Sequence, residues 1–218
     1  MNIACVIFDL DGTLVDSEGL CNQALLDLLP EIDRPLGEMV ERYRGQKLAR
    51  ILADIEQRTC RKLPADFERT YRSRVEALFE TELQPMPGVL ELLESVRHPL
   101  CVASGGLREK ISKALSVCSL TRFFGDNVFS SYEVNSWKPD PGLFLHAARV
   151  MGYPPRSCAV IEDSLPGIQA AAAAGMQAFL YLPEEGVSPD HAVVAFESMR
   201  DLPRLLGCVQ DNNRQVQD

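Results

Sequence analysis

The chain lacks the features that mark membrane proteins, secreted proteins and metal-thiolate sites. Its 218 residues contain one tryptophan and three histidines, and no hydrophobic run approaches the ~20 residues of a membrane span. The seven cysteines form no CxxC pair, which argues against a structural zinc site. Because the cysteine number is odd and no signal segment opens the chain, we expect reduced thiols and a cytoplasmic location.

Positive charge is also scarce. There are 22 lysines and arginines against 31 acidic residues, a net charge of −9. Nucleic acid and anionic membranes bind proteins rich in lysine and arginine, so we expect neither as the main partner. A hydrophobic content of 46% favours a soluble globular chain that is long enough for one core, or for a core plus a smaller appended domain. The sequence gives no indication of the oligomeric state.

Short apolar segments alternate with segments of helical period along most of the chain. The strand candidates are residues 3–8, 100–104, 158–162, 178–182 and 192–196. The helical patterns between them cover residues 89–96, 109–118, 141–152 and 167–175. Apolar runs without alternation are typical of strands buried on both faces. We therefore predict an α/β fold, a Rossmann-like parallel sheet with helices on both faces.

Residues 17–83 interrupt this alternation with helical patterns and no convincing strand. Pro85 and the pair Pro87-Gly88 mark the return to the alternating pattern. We predict an α/β core of residues 1–15 and 85–218, with a small α-helical cap of residues 16–84 inserted after the first strand. The last ten residues are polar and are expected to fray.

Polar residues follow the carboxyl ends of the predicted strands. Residues 3–18 read IACVIFDLDGTLVDSE, so the first strand runs directly into Asp9 and Asp11. Three further segments carry Ser104-Gly105-Gly106, Glu162-Asp163-Ser164 and, within VFSSYEVNSWKPDP, Lys138. In open parallel sheets ligands bind beyond these carboxyl ends. The four segments therefore predict one shared site.

The residue types in these segments suit phosphoryl transfer. Neighbouring carboxylates repel each other unless a cation intervenes, and hard oxygen ligands without histidine or cysteine suit Mg²⁺. A hydroxyl beside glycine-rich backbone and a lysine suit a phosphoryl group. Each segment alone also has a structural explanation as a turn, a helix cap or a solvated lysine. Their joint occurrence favours catalysis through an aspartyl-phosphate.

In this order, the segments resemble the four motifs of the haloacid dehalogenase superfamily. The matching stretches are DLDGT (9–13), VASGG (102–106), WKPDPGLF (137–144) and IEDSLPGIQAAAAAGM (161–176). The helical insertion resembles the cap of the beta-phosphoglucomutase-like subgroup, so the resemblance covers nearly the whole chain. The four motifs together are far more specific than any one of them.

The resemblance implies a role for each matching residue. The implied catalytic residues are Asp9 as nucleophile, Asp11 as general acid and base, and Ser104 and Lys138 as phosphate contacts. The implied Mg²⁺ ligands are Asp9, Asp163, the backbone carbonyl of Asp11, and Glu162, which would act directly or through water. The implied further phosphate contacts are Thr13 and the amides around Gly105.

The loop YRGQKL (43–48) carries two basic candidates for substrate binding, Arg44 and Lys47. In the subgroup that this chain resembles, a loop at this place faces the active site and sets substrate specificity. The basic residues could instead belong to a solvated helix face, and both interpretations stay open. An anionic substrate would suit two such cations.

Residues at two positions separate the reaction classes. The superfamily's dehalogenases and phosphonatases lack the second aspartate, so Asp11 argues against both. The mutases share the cap and the Glu-Asp motif, but they have a cap-hinge histidine where this chain has Cys21. We therefore favour a Mg²⁺-dependent phosphatase, with a hexose-phosphate mutase as the alternative. A non-catalytic sugar-phosphate regulator is the alternative of another class, although it predicts damage to motif residues that are all intact.

The expected partner is a small phosphate ester. The stretches LVDSEGLC, YRGQKL and VFSSYEVNSWKPDPGLFLHAARVMG are similar to bacterial phosphatases active on 6-phosphogluconate and related sugar phosphates. One departure is Gly105, since many relatives carry asparagine after the serine of the second motif. We therefore expect a sugar phosphate or a sugar-acid phosphate as substrate.

Overall fold

A six-stranded sheet forms the centre of the structure, a computed structural model that describes residues 3–181 and 193–207. The strands are β1 (Cys5–Phe8), β2 (Leu100–Ser104), β3 (Val128–Ser130), β4 (Cys158–Glu162), β5 (Gln177–Tyr181) and β6 (Val194–Phe196). Their order is β3-β2-β1-β4-β5-β6, and every neighbouring pair is parallel. The predicted parallel sheet is confirmed.

The helices fall into two groups along the chain. Those between β1 and β2 are α1 (Glu18–Leu28), α2 (Leu36–Tyr43), α3 (Leu48–Thr59), α4 (Phe67–Glu82) and α5 (Val89–Ser95). Those after β2 are α6 (Arg108–Val117), α7 (Thr121–Phe124), α8 (Ser131–Val134), α9 (Gly142–Met151), α10 (Leu165–Ala173) and α11 (Leu202–Leu205). Within the described residues, no helix combines the length and apolarity needed to cross a membrane.

Alternate residues of the central strand pack on opposite faces of the sheet. On β1, Val6 and Phe8 join a core that includes α5, α6, α7 and α11, and Cys5 and Ile7 join a core covered by α9 and α10. All four side chains are 0% exposed. Burial on both faces explains why the strand is continuously apolar, and the predicted helices on both faces are confirmed.

Helices α1 to α4, called the cap below, lie along the chain between β1 and the remaining elements of the α/β fold. The segments in which the chain leaves and re-enters the core lie side by side, because Val15 forms an antiparallel bridge with Pro85. The amide of Met86 also donates to the carbonyl of Leu14 at 3.0 Å. The predicted boundaries at 15 and 85 fall at this crossing, and the division into domains there remains a prediction.

One strand of the sheet is not predicted from the sequence, and another is predicted only roughly. Strand β3 is not predicted because three residues are too short for a recognisable apolar run and lead directly into α8. The predicted strand at 192–196 corresponds to β6, Val194–Phe196. Residues 182 and 192 and the polar tail 209–218 lie outside the described residues.

Candidate active site

A cavity of about 270 Å³ lies between the cap and the carboxyl edge of the sheet. All four predicted segments reach it from the core, through Asp9, Asp11, Gly105, Lys138, Glu162 and Asp163. The cap contributes the opposite wall, which includes Glu18, Cys21, Tyr43, Lys47, Tyr71 and Arg72. The parallel topology thus brings strand ends that are distant in sequence to one place.

Lys138 is a buried cation on the core side of this cavity. Its Nζ contacts Oδ1 of Asp9 and Oε1 of Glu162, and the side chains of these three residues are at most 8% exposed. Burial raises the pKa of Asp9 to about 8, with Glu162 and Asp11 adding to the rise and Lys138 opposing it. Burial also disfavours the charge of Lys138, but the two carboxylates outweigh this and raise its pKa above the usual value.

Three carboxylates form a potential metal site next to Lys138. Asp9, Glu162 and Asp163 are buried, and they offer oxygens that lie within 4.8 Å of one another. Burial, with Glu162 and Asp9 close by, raises the pKa of Asp163 well above its usual value. One lysine therefore does not balance the negative charge here, and an all-oxygen donor set suits a hard divalent cation. The residues fit the divalent metal expected for such a site.

Glu162 is fixed by the first turn of α10. Its Oε2 accepts hydrogen bonds from the amide and the hydroxyl of Ser164, at 2.9 and 2.7 Å. The same hydroxyl accepts from the amide of Gly167 at 3.2 Å and so caps the helix. A Cβ atom at Gly167 would lie 1.9 Å from Cδ of Glu162. The carboxylate can approach the helix this closely because residue 167 is glycine.

We expect Gly167→Ala to lower the free energy of unfolding by about 2 kcal/mol, because the added methyl group has no space beside buried Glu162. Gly37→Ala in α2 is the matched control, since a Cβ there meets nothing within 4 Å. The control should be neutral or stabilising, by about 0.5–1 kcal/mol. Guanidinium unfolding of both variants measures the difference, and equal stabilities would contradict the close contact.

Asp11 lies beside the point where the chain enters the cap. Its Oδ1 accepts hydrogen bonds from Ser17 Oγ at 2.5 Å and from Lys110 Nζ at 2.7 Å. Burial alone would raise the pKa of Asp11, but Lys110 and Ser17 outweigh it and hold the pKa below its usual value. Lys110 is not among the residues predicted from the sequence. Its position in the first turn of the helix after the loop at 104–106 is the available signal, and any solvated lysine could share that position.

The predicted phosphate contacts lie at different depths. Ser104 is fully buried, and its Oγ accepts from the amide of Gly106 at 3.1 Å. Thr13 is also fully buried and donates from Oγ1 to Oδ1 of Asp163 at 3.3 Å. Gly105 lines the cavity, and a Cβ there would meet nothing within 4 Å. Phosphate binding by these residues remains a prediction.

The two basic residues of the cap loop point to different places. Lys47 lines the cavity, and its Nζ lies 3.3 Å from the centroid of the Trp137 ring. Arg44 is not among the lining residues, and its Nε lies 3.9 Å from Oδ2 of Asp163. Between them, a Cβ at Gly45 would lie 2.7 Å from the Ser164 side chain. The cap loop therefore rests against the loop that follows β4.

A second contact between cap and core lies outside the sequence-based predictions. Arg72 of α4 donates to the hydroxyl of Tyr132 at 3.1 Å, and the Tyr132 ring lies edge-on to Trp137. Arg72, Tyr132 and Trp137 all line the cavity. On the sequence alone, Arg72 is one of three arginines of α4, with Arg69 and Arg74, so no local signal distinguishes it.

Comparison with known proteins decides the family. The family described as haloacid dehalogenase-like hydrolase matches residues 3–175, a range that includes all four segments of the site. The chain belongs to the haloacid dehalogenase-like hydrolases. The predicted superfamily and the predicted hydrolase are both confirmed.

Relatives of this hydrolase include a named phosphatase. The chain is 33% identical over 208 residues to the 6-phosphogluconate phosphatase of Escherichia coli, covering 93% of this chain and 94% of that protein. This match supports the predicted class of phosphoric monoester hydrolase. The similarity does not by itself carry the relative's substrate over to this chain.

Solved structures of the same family share the whole fold. A haloacid dehalogenase-like protein of Agrobacterium tumefaciens superposes with a TM-score of 0.80 at 29% identity, covering 95% of this chain and 99% of that one. A structure assigned as a beta-phosphoglucomutase of Thermotoga maritima gives 0.73 at 25% identity, with coverages of 96% and 100%. The predicted resemblance to the beta-phosphoglucomutase-like subgroup is confirmed.

Proposed function

We propose that this hydrolase is a Mg²⁺-dependent phosphatase of small phosphate monoesters that works through a phosphorylated Asp9. The observation that carries the proposal is the shared cavity. The cavity is lined by buried Asp9, which pairs with Lys138, and by Asp11, which Lys110 holds. Asp9 also belongs to the cluster of three carboxylates with Glu162 and Asp163. Nucleophile, acid–base group and metal ligands are then within reach of one substrate.

In the first step, a carboxylate oxygen of Asp9 attacks phosphorus. The bond between phosphorus and the ester oxygen breaks as the alcohol leaves. Asp11, which takes up a proton because the negative charge of the bound phosphoryl group raises its pKa, donates that proton to the ester oxygen. Lys138 and the loop amides around Gly105 stabilise negative charge on the phosphoryl oxygens. The product of this step is the aspartyl phosphate on Asp9.

In the second step, Asp11 takes a proton from water, and the water oxygen attacks phosphorus. The bond between phosphorus and Asp9 breaks, phosphate leaves, and both carboxylates return to their starting states. Asp9 and Asp163, with the backbone carbonyl of Asp11 and with Glu162, would hold Mg²⁺. The bound ion supplies positive charge that offsets the charge of the phosphoryl group and of the clustered carboxylates.

A sugar phosphate or sugar-acid phosphate is the proposed substrate. The Escherichia coli relative is named for 6-phosphogluconate, which carries a carboxylate at the end opposite its phosphate. Lys47 lines the cavity from the cap and forms no ion pair with any carboxylate of the described residues. A free cation facing the core site suits the second anionic group of such a substrate.

The mutase alternative is less well supported at the cap hinge. Cys21 lines the cavity at the place where the mutases carry histidine, and burial raises the pKa of its thiol to about 12. A neutral thiol cannot supply the positive charge that a protonated histidine would supply. This difference favours hydrolysis over transfer between two positions of a sugar.

We expect phosphate release from a panel of monoesters that includes 6-phosphogluconate, glucose 6-phosphate and glycerol phosphate. Release should require Mg²⁺ and stop on addition of EDTA, because the carboxylate cluster is the metal site. Inorganic phosphate is measured by molybdate assay. Interconversion of hexose phosphates without release would favour the mutase, and binding without any turnover would favour the regulator.

A further inference from the structure

Two hydrogen-bond donors converge on one oxygen of the proposed acid–base residue. Asp11 Oδ1 accepts from Ser17 Oγ, at the entry to the cap, and from Lys110 Nζ, on α6. Among the described residues, no hydrogen-bond donor reaches Oδ2. The pair of donors therefore leaves Oδ2 as the oxygen available to exchange a proton in the cavity.

The Lys110 side chain lies beside Gly106 and near the Phe79 ring of the cap. A Cβ at Gly106 would lie 3.3 Å from Cδ of Lys110, so the glycine leaves room for the lysine stem. The Nζ atom lies 5.7 Å from the centroid of the Phe79 ring on α4, within the range of a cation–π contact. The lysine side chain is 24% exposed. It therefore belongs to the cavity wall and not to the solvated surface.

We propose that Lys110 is a positioning residue that fixes the rotation of the Asp11 carboxylate, so that Oδ2 faces the ester oxygen of the substrate. The inference rests on the proposed function, because it concerns the residue that would protonate the leaving group. Ser17 alone would leave the carboxylate held at a single point. A second donor on the same oxygen removes the remaining rotational freedom, and correct orientation contributes strongly to reaction rates.

Positioning by Lys110 predicts a dependence on the leaving group. A sugar alkoxide is a poor leaving group and needs the proton that Asp11 supplies. The 4-nitrophenolate ion is stable, so it leaves without a proton and its release tests the attack by Asp9 alone. Hydrolysis of the aspartyl phosphate needs Asp11 as a base with either ester. Loss of orientation should therefore slow both steps for a sugar phosphate, and only the second step for 4-nitrophenyl phosphate.

Pre-steady-state kinetics of Lys110→Met test this inference. With 4-nitrophenyl phosphate, we expect a burst of nitrophenolate, stoichiometric with enzyme, followed by slow turnover. With a sugar phosphate, we expect no burst and a kcat lower by about 10²-fold, with little change in KM. Lys110→Arg can still donate to Oδ1 and should recover most of the kcat. Lys113→Met is the matched control, because it removes a lysine from the same helix and the same cavity wall, but one that pairs with Glu80 of the cap and not with Asp11.

Two outcomes would overturn the inference. Equal losses with both esters, together with a raised KM and no burst, would mean that Lys110 binds the phosphate itself. If Lys110→Arg matched Lys110→Met in both burst and kcat, a hydrogen bond to Oδ1 would not be what matters. Wild-type protein that releases phosphate from neither ester would overturn the proposed function first, and this inference with it.

Discussion

Asp9→Asn is expected to abolish phosphate release while leaving the protein folded. The amide is not a nucleophile towards phosphorus, so no aspartyl phosphate can form, and removal of a nucleophile typically costs about 10⁴-fold or more in kcat. Asparagine has nearly the same shape as aspartate, and Lys138 keeps Glu162 as a partner in the variant. The loss of activity should therefore occur without a loss of structure.

Stability measurements on metal-free protein give Asp9→Asn a second readout. Burial raises the pKa of Asp9 from 3.8 to about 8, so at neutral pH the folded protein binds a proton that the unfolded chain has lost, and this difference destabilises the folded state. The penalty is absent below the unfolded pKa, and it grows as the pH rises through the interval between these two values. Asparagine carries no such penalty. The variant should equal or exceed the wild type in free energy of unfolding near pH 7, and lose that advantage near pH 4.

Asp16→Asn is the matched control, since Asp16 is exposed and follows the same strand. It should retain wild-type activity. Mass spectrometry of acid-quenched wild-type enzyme should show a phosphorylated peptide containing residue 9, and Asp9→Asn should show none. Phosphate release by Asp9→Asn at the wild-type rate would remove Asp9 from the role of nucleophile.

The sheet could be predicted because its strands carry an unambiguous local signal. A strand such as β1, with every side chain 0% exposed, must be apolar at each position. This pattern can be recognised in the sequence without knowing which strands pair with β1. The three-residue strand β3 carries too few residues for the same signal. The place of β3 at the edge of the sheet depends on its pairing with β2. The three residues of β3 do not determine that pairing by themselves.

Some residues of the candidate site could also be predicted from local sequence, and others depend on the tertiary structure. Asp9 and Asp11 stand directly after a strand, so their position at the ligand-binding edge of the sheet follows from local sequence. The distance of 2.7 Å between Lys110 and Asp11 depends on how α6 packs beside β1. Lys110 and Lys113 look alike in the sequence and both line the cavity, yet Lys110 pairs with Asp11 and Lys113 pairs with Glu80. The partner of a lysine is a property of the tertiary structure.

Lys138→Met is expected to cause a large loss of both stability and activity. Lys138 is the cation between Asp9 and Glu162, and the methionine leaves both buried carboxylates without it. Removing one partner of a buried ion pair costs about 3–5 kcal/mol, and we expect that loss in metal-free protein near pH 7. Loss of the charge beside the phosphoryl oxygens should lower kcat by about 10²–10³-fold.

The surface pair of Lys62 and Glu56 offers the matched control. Lys62 lies 2.6 Å from Glu56, but its side chain is 89% exposed. An exposed pair of this kind contributes about 0–1 kcal/mol, so Lys62→Met should change the unfolding midpoint little and leave kcat unchanged. The contrast separates burial of the charges from the mere presence of a salt bridge.

The pH and metal dependence of Lys138→Met identify the cause of its instability. Without the lysine, nothing cationic at this position opposes the burial that raises the pKa of Asp9, so the part of the loss that comes from Asp9 should grow as the pH rises through about 8. Mg²⁺ should also recover part of the loss, because the ion supplies positive charge to the same carboxylates. Denaturant unfolding at several pH values, with Mg²⁺ or with EDTA, measures both effects. A variant as stable as the wild type in EDTA, both near pH 7 and near pH 9, would mean that Lys138 is not the counter-ion of these carboxylates.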